Sequence, residues 1–206
     1  NQIVGVDQFG RSFNTIPSLK RDKQVGLFFW LWIGQPYATD IWDATKILDM
    51  PNGLKLLTDF NSLDPAISPN GQAHYWGEPL WGYYNSDDEW VIRKQIQMIT
   101  IAGVDFIYFD ASNANIYKNV FIKVLGVIDE YLKKGWNPPK VAFYTHSHSL
   151  QTTRDLYFEL YKPELYPDTW YKVDGKPMII AYTDPEDDLS EAKSRGDMQY
   201  TTGPLS

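Results

Sequence analysis

Four apolar runs of strand length, each parted from the next by a stretch with helical signals, restrict this chain more than any other feature of its sequence. They are Gln24-Val-Gly-Leu-Phe-Phe-Trp-Leu-Trp-Ile-Gly34, Val104-Asp-Phe-Ile-Tyr-Phe-Asp-Ala-Ser112, Lys140-Val-Ala-Phe-Tyr-Thr145 and Pro177-Met-Ile-Ile-Ala-Tyr-Thr183. Continuous apolar runs bounded by turn residues read as strands buried on both faces. Between them, residues 40–49 suit a short helix with Asp40 as N-cap. Ser86-Asp-Asp-Glu89 reads as a capping box that starts a helix. That helix carries Trp90, Ile92, Ile96, Ile99 and Ile101 at near-helical spacing and stops at Gly103. Further helices are expected from about Lys118 to Lys134, closed by Gly135, and near Thr153 to Tyr161.

Strands alternating with helices imply parallel pairing through right-handed crossovers. The choice lies between a barrel and a doubly wound sheet. No glycine-rich phosphate loop follows a strand, and Gly5 and Gly10 do not form a dinucleotide fingerprint. Polar groups follow the strands instead: Asp110 and Asn113 after the second, His146 and His148 after the third, Asp184 after the fourth. Polar strand ends form the active face of a TIM barrel. The expected class is therefore α/β of the (β/α)8 TIM-barrel type, with about four β/α units present. Residues 1–22 read as an N-terminal arm and 23–206 as the N-terminal portion of the barrel domain. The stretch 51–79 holds prolines at 51, 65, 69 and 79 and reads as a long loop, a length that tends to carry function. Because 196–206 offers no closing element, a truncated barrel is expected, whose open parallel edge invites pairing with another chain.

Composition narrows the function. The 206 residues include 8 Trp, 14 Tyr and 10 Phe, many outside the apolar runs. Flat sugar rings stack on such aromatics, whereas the plainer reading has them filling a core and bracing loops. With 26 acidic against 19 basic residues the net charge is -7, and no basic run tracks a phosphate backbone, so nucleic acid is not expected as a partner. The absence of cysteine removes disulfides and thiol nucleophiles, and suits an extracytoplasmic protein. No apolar run approaches the roughly 20 residues of a membrane span. The chain begins at Asn1 and shows no signal peptide, so a leader removed on export is expected.

Phe28 to Ile33, His74-Tyr-Trp-Gly-Glu-Pro-Leu-Trp-Gly-Tyr-Tyr84, Asp87-Asp-Glu-Trp-Val-Ile-Arg-Lys-Gln-Ile-Gln-Met98 and Ala102-Gly-Val-Asp-Phe-Ile-Tyr-Phe-Asp110 resemble bacterial proteins of glycoside hydrolase families 71 and 99. The resemblance runs through most of 20–183 and is densest between 74 and 113. It implies a (β/α)-barrel, activity on α-mannan or α-1,3-glucan, and an oligosaccharide or polysaccharide as partner. The family 99 pair of closely spaced glutamates has no counterpart here, since Glu186 and Glu191 do not match it. The catalytic carboxylates then lie in sequence beyond this chain, or this branch uses others.

Glycoside hydrolysis usually needs two carboxyl groups, one protonated and one ionised. Glu78 and Asp110 are the best pair. Glu78 lies among Trp76, Pro79 and Trp81, an apolar setting that favours an acid role, and Asp110 ends an apolar strand where a base or nucleophile would sit. The plainer readings are a loop-bracing carboxylate and a structural acceptor. Trp32, His74, Tyr75, Trp76, Trp81, Tyr84, Asn113, His146, His148, Tyr182 and Asp184 are the candidate substrate contacts. Asp105 reads as a turn anchor. No cofactor is called for. A carbohydrate-binding protein without turnover, and a metal-dependent hydrolase using His74, His146, His148, Asp110 and Asp184, are the alternatives.

Overall fold

A computed structural model describes residues 5–12, 23–33, 43–58 and 78–182. His74, Tyr75, Trp76 and Asp184 lie outside the described residues, as do Asp40 and most of the 51–79 loop.

The elements run β1 (Gly26–Phe29), α1 (Ala44–Leu48), α2 (Gly53–Thr58), α3 (Glu89–Ile101), β2 (Phe106–Ala111), α4 (Lys118–Lys133), β3 (Lys140–Thr145), α5 (Ser149–Leu156) with a wide last turn at Tyr157–Tyr161, β4 (Lys172–Val173), β5 (Lys176–Pro177) and β6 (Ile179–Ala181). Four strands form one parallel sheet in the order β1-β2-β3-β6, which is also chain order. The protein is thus mixed α/β with helices α3, α4 and α5 between successive strands.

The sheet has one covered face. Residues of β2 alternate strictly between buried and half-buried, the period-two pattern of a strand with two different surroundings. Ile107, Phe109 and Ala111 join Val141 and Phe143 in a core with Ile92 and Ile96 of α3, Phe121, Val124 and Leu125 of α4, and Leu156 of α5. Phe143 meets both Phe109 and Phe121 edge to face, at 5.2 and 5.5 Å between ring centres. The opposite face presents Phe28, Phe106, Tyr108, Asp110 and Tyr144. Sequence patterning predicts strands buried on both faces. The structure corrects this: Leu27 and Phe28 of β1 are exposed, because β1 is an edge strand and no helix covers the second face among the described residues.

Local signals also resolve differently in places. Helix α3 is capped by Asp88, whose carboxylate accepts the Val91 amide, while the hydroxyl of Ser86 accepts the Ile33 amide and ties the loop to the end of β1. The predicted capping box is therefore not formed; an aspartate placed three residues ahead of a free helical amide fills the same role. Asp43 caps α1 in the same way, and α2 occupies the start of the predicted long loop. Gly103 and Gly135 take φ of +73° and +78° after α3 and α4, the left-handed stop expected of them. Helix α5 begins at Ser149, earlier than its apolar pattern suggests. Asp105 holds the strand starts in register: its carboxylate accepts the Val25 amide at 2.6 Å and its carbonyl accepts the Lys140 amide.

The fourth strand position is split. Trp170 bridges Val141 in parallel, the chain then leaves through the β4–β5 hairpin, and it returns to the sheet at Ile179. Asp174 and Gly175 both adopt positive φ, the backbone of a tight two-residue hairpin turn. Tyr171 stacks on Phe106 at 4.3 Å, and its hydroxyl meets Gln24, so a floor closes the open face at the strand N-termini. A Cβ on Gly26 would come 2.4 Å from the Phe106 ring, which explains glycine there. Lys140 completes the floor by donating to the Asp168 carbonyl, and burial pulls its ammonium below its ordinary pKa.

Helices α3 and α4 are also joined outside the core. Arg93 reaches Glu89 and Glu130, each at 2.7 Å, and hydrogen bonds from Arg93 and then Lys134 pull the Glu130 carboxyl down to about 2.

The two-faced sheet makes a direct prediction. Phe109→Ala, on the covered face, should cost about 3–5 kcal/mol. Its neighbour Tyr108→Ala, on the open face, should cost less than half as much. Urea unfolding of both variants measures the difference, and equal losses would contradict the single covered face.

Candidate functional site

The C-terminal ends of the strands gather the candidate chemistry on the open face. Asp110 is the fifth residue of β2 and lies opposite Tyr144 of β3, which lies opposite Ile180 of β6. Alternation along each strand puts Trp30, His146 and Tyr182 on the same side, at or just past the strand ends. Phe28 contacts Tyr108 edge-on at 4.9 Å and Trp30 at 5.9 Å, so an aromatic wall leads up to Asp110. His146 and Tyr182 stack at 4.6 Å with their planes 13° apart. Both are exposed, and together they form a flat platform.

Hydrogen bonds anchor the described loops at this end. The Ser147 amide donates to the Ser112 carbonyl and the Tyr182 amide to the Thr145 carbonyl, which extends strand pairing past the named strands. Beneath the turn at His146 to His148, the buried hydroxyls of Thr145 and Ser149 meet at 2.7 Å. His148 and Tyr117 enter the following helices in left-handed conformations, φ +48° and +51°. Such backbone costs about 1–2 kcal/mol for a side chain with a Cβ. The Asp110 carboxylate accepts the Ser112 amide at 3.0 Å, forming a small turn that fixes its direction.

The candidates drawn from the sequence divide. Asp110, His146 and Tyr182 come together on the open face. Trp32 does not join them: it packs half-buried on the core, and Trp30, 61% exposed, keeps the larger open surface. Trp30 and Trp32 are in ring contact at 6.3 Å. Trp81 meets Trp90 of α3 at 5.7 Å, and the Tyr84 hydroxyl accepts from Gln95 of α3, so both rings brace the approach to that helix. Asn113 donates to the Tyr117 hydroxyl within its own loop. The His148 carbonyl accepts from the Thr152 amide and hydroxyl at the start of α5. Glu78 is exposed, so the apolar enclosure expected around it is not found among the described residues.

Residues the sequence did not single out are Phe28, Tyr108 and Tyr144, the sheet's own aromatics. Their signal was present as Phe106-x-Tyr108-x-Asp110, an aromatic and polar period of two inside an apolar run. Among the described residues, no group of three or more His, Asp or Glu side chains is placed to hold a metal ion. No described helix is long and apolar enough to cross a membrane.

No family model, no curated protein and no solved structure matches the chain.

The bracing role of Tyr84 is testable apart from any ligand. Tyr84→Phe should lower stability by about 1 kcal/mol through loss of the Gln95 bond, read as a lower thermal midpoint. An unchanged midpoint would remove that role.

Proposed function

We propose that the open aromatic face and the strand ends above it bind a glycan, and that the chain belongs to a carbohydrate-active barrel of the glycoside hydrolase 71/99 type. The observation that carries this reading is the placement of Asp110 on one surface with the Phe28, Trp30, Tyr108 and Tyr144 rings and the His146–Tyr182 platform. Aromatic faces supply sugar stacking, and a carboxylate among them accepts sugar hydroxyls or supports chemistry at the anomeric carbon.

The barrel is supported by strand order. All four strands are parallel and follow chain order without a reversal, and helices α3, α4 and α5 between them pack on one face. A doubly wound sheet places helices on both faces and changes direction at a switch point. A barrel wall instead keeps its helices outside and its second face inside. The sequence resemblance supports the same class and favours α-mannan or α-1,3-glucan as substrate, and the absence of cysteine suits an extracytoplasmic location.

Hydrolysis is the first reading, with Asp110 as base or nucleophile and Glu78 as acid. Binding without turnover is the second. It is favoured by Asp110 being the one carboxylate that the described strands bring to the open face, where hydrolysis usually needs two.

Calorimetric titration with α-1,3-gluco- and α-manno-oligosaccharides, alongside reducing-sugar release, separates these readings. Trp30→Ala should weaken glycan binding about tenfold, equivalent to roughly 1.4 kcal/mol of lost stacking. Asp110→Asn and Glu78→Gln should each lower hydrolysis at least a hundredfold. Hydrolysis surviving both carboxylate substitutions would overturn the catalytic assignment, and binding unaffected by Trp30→Ala would overturn the site.

A further inference from the structure

Two hydroxyls lie where apolar side chains would serve the core as well. Thr145 ends β3 on the face that carries Val141 and Phe143, and both Thr145 and Ser149 are buried, at 0 and 2% exposure. Their oxygens meet at 2.7 Å. Valine at 145 and alanine at 149 would bury no polar group, whereas a buried hydroxyl costs free energy that only its hydrogen bond offsets. The pair therefore contributes little stability over an apolar match, and what it supplies is geometry: a fixed distance between the end of β3 and the first residue of α5. The turn it spans is strained. His148 enters α5 at φ +48° and gives the helix no side-chain cap. Its carbonyl is held from within α5 by the amide and hydroxyl of Thr152, and the Thr145–Ser149 bond ties that helix start back to the strand. Three groups of the candidate site depend on the same turn. His146 belongs to it. The Thr145 carbonyl accepts the Tyr182 amide at 3.0 Å, which places the second ring of the platform. The Ser147 amide donates to the Ser112 carbonyl at 2.8 Å, and the Ser112 amide in turn donates to the Asp110 carboxylate at 3.0 Å.

We propose that Thr145 and Ser149 are positioning residues for the glycan site, a buried clasp that sets the His146–Tyr182 platform and, through Ser147 and Ser112, the direction of Asp110. The proposal rests on the glycan reading above. With the clasp removed, the left-handed backbone at His148 relaxes and the turn shifts. The His146 ring then leaves its place 4.6 Å from Tyr182, where the two planes are 13° apart. A stacking surface is sensitive to small displacements, because a gap of about 0.5–1 Å already forfeits a quarter to a half of the contact energy. The same shift reaches Asp110 through two backbone hydrogen bonds, so one buried pair on the covered face governs groups on the opposite face of the sheet.

Combining Thr145→Val with Ser149→Ala tests this, because removing both hydroxyls leaves no buried group unsatisfied and should keep the thermal midpoint close to that of the parent. The chain has three histidines, so the imidazole proton signals of His146 are assigned by their loss in His146→Gln. In the double variant they should move towards the position they take in Tyr182→Ala, where no ring stacks on His146. Affinity for α-linked oligosaccharides should fall about fivefold, the equivalent of one neutral hydrogen bond. Thr145→Ser, which keeps the hydroxyl, should restore both readouts. If the double variant does not fold, Ser149→Ala alone carries the test by the same signals. His146 signals that stay at the parental position, or that move equally in Thr145→Ser, would overturn the proposal; so would a lowered midpoint with the signals unmoved, the mark of a merely structural pair. The glycan reading is judged apart from this. Moved signals in a chain that binds no oligosaccharide keep the clasp and lose that reading, and binding with unmoved signals does the reverse.

Discussion

A parallel strand can rejoin its sheet only through a crossover, and in this chain the crossover helices α3, α4 and α5 pack on the same face. That constraint organises everything else described. It builds one deep core, in which Phe109, Phe121 and Phe143 interlock between sheet and α4. It also leaves the second face to its own side chains. Those are largely aromatic, and among the described residues they meet one another across the strands and no second helix layer. A face of that kind has two uses: it is covered by further structure, or it receives a ligand whose flat apolar surfaces match its rings.

The asymmetry continues along the strands. At their N-terminal ends Tyr171 stacks on Phe106, Gly26 makes room for that ring, and Lys140 is held by a backbone carbonyl, so this end is closed. At their C-terminal ends the His146–Tyr182 platform and Asp110 stand at an open mouth, steadied by the buried Thr145–Ser149 hydroxyl pair. The difference between a packed floor and a polar rim is what locates the candidate site at one end of the sheet, and it is the arrangement on which parallel α/β proteins place their chemistry.

The sequence made part of this legible. The bounds of β3 and the start of α4 follow directly from apolar run and period, and Asp105 is the anchor its position before β2 suggests. The two-faced character of the sheet was harder to see. Phe and Tyr count as apolar in a run, so a strand with one covered and one open aromatic face looks like a strand buried on both. The split fourth strand escaped for a different reason: Val173-Asp-Gly-Lys176 carries a strong hairpin signal, but its strands are two residues each and show no alternation to read. Of the site residues, Asp110 and His146 were readable from their position at the C-terminal ends of apolar runs, and Tyr182 from its place near the end of the fourth run, Pro177 to Thr183. Trp30 and Trp32 share a face in an ideal strand, yet β1 ends at Phe29, and beyond it only Trp32 settles against the core. Trp81 and Tyr84 looked like substrate contacts because they cluster in sequence, although their partners are Trp90 and Gln95 on α3.

The glycan site proposed above lies on the open aromatic face and not on the outer helical surface. Nuclear magnetic resonance of the protein titrated with an α-linked oligosaccharide measures this most directly, because tryptophan indole and tyrosine ring signals report from both surfaces. The account predicts shifts at Trp30, Tyr108, Tyr144 and Tyr182, with Trp90, Trp136 and Tyr157 unmoved. Shifts confined to the latter three, which lie on or beside the helices, would contradict it.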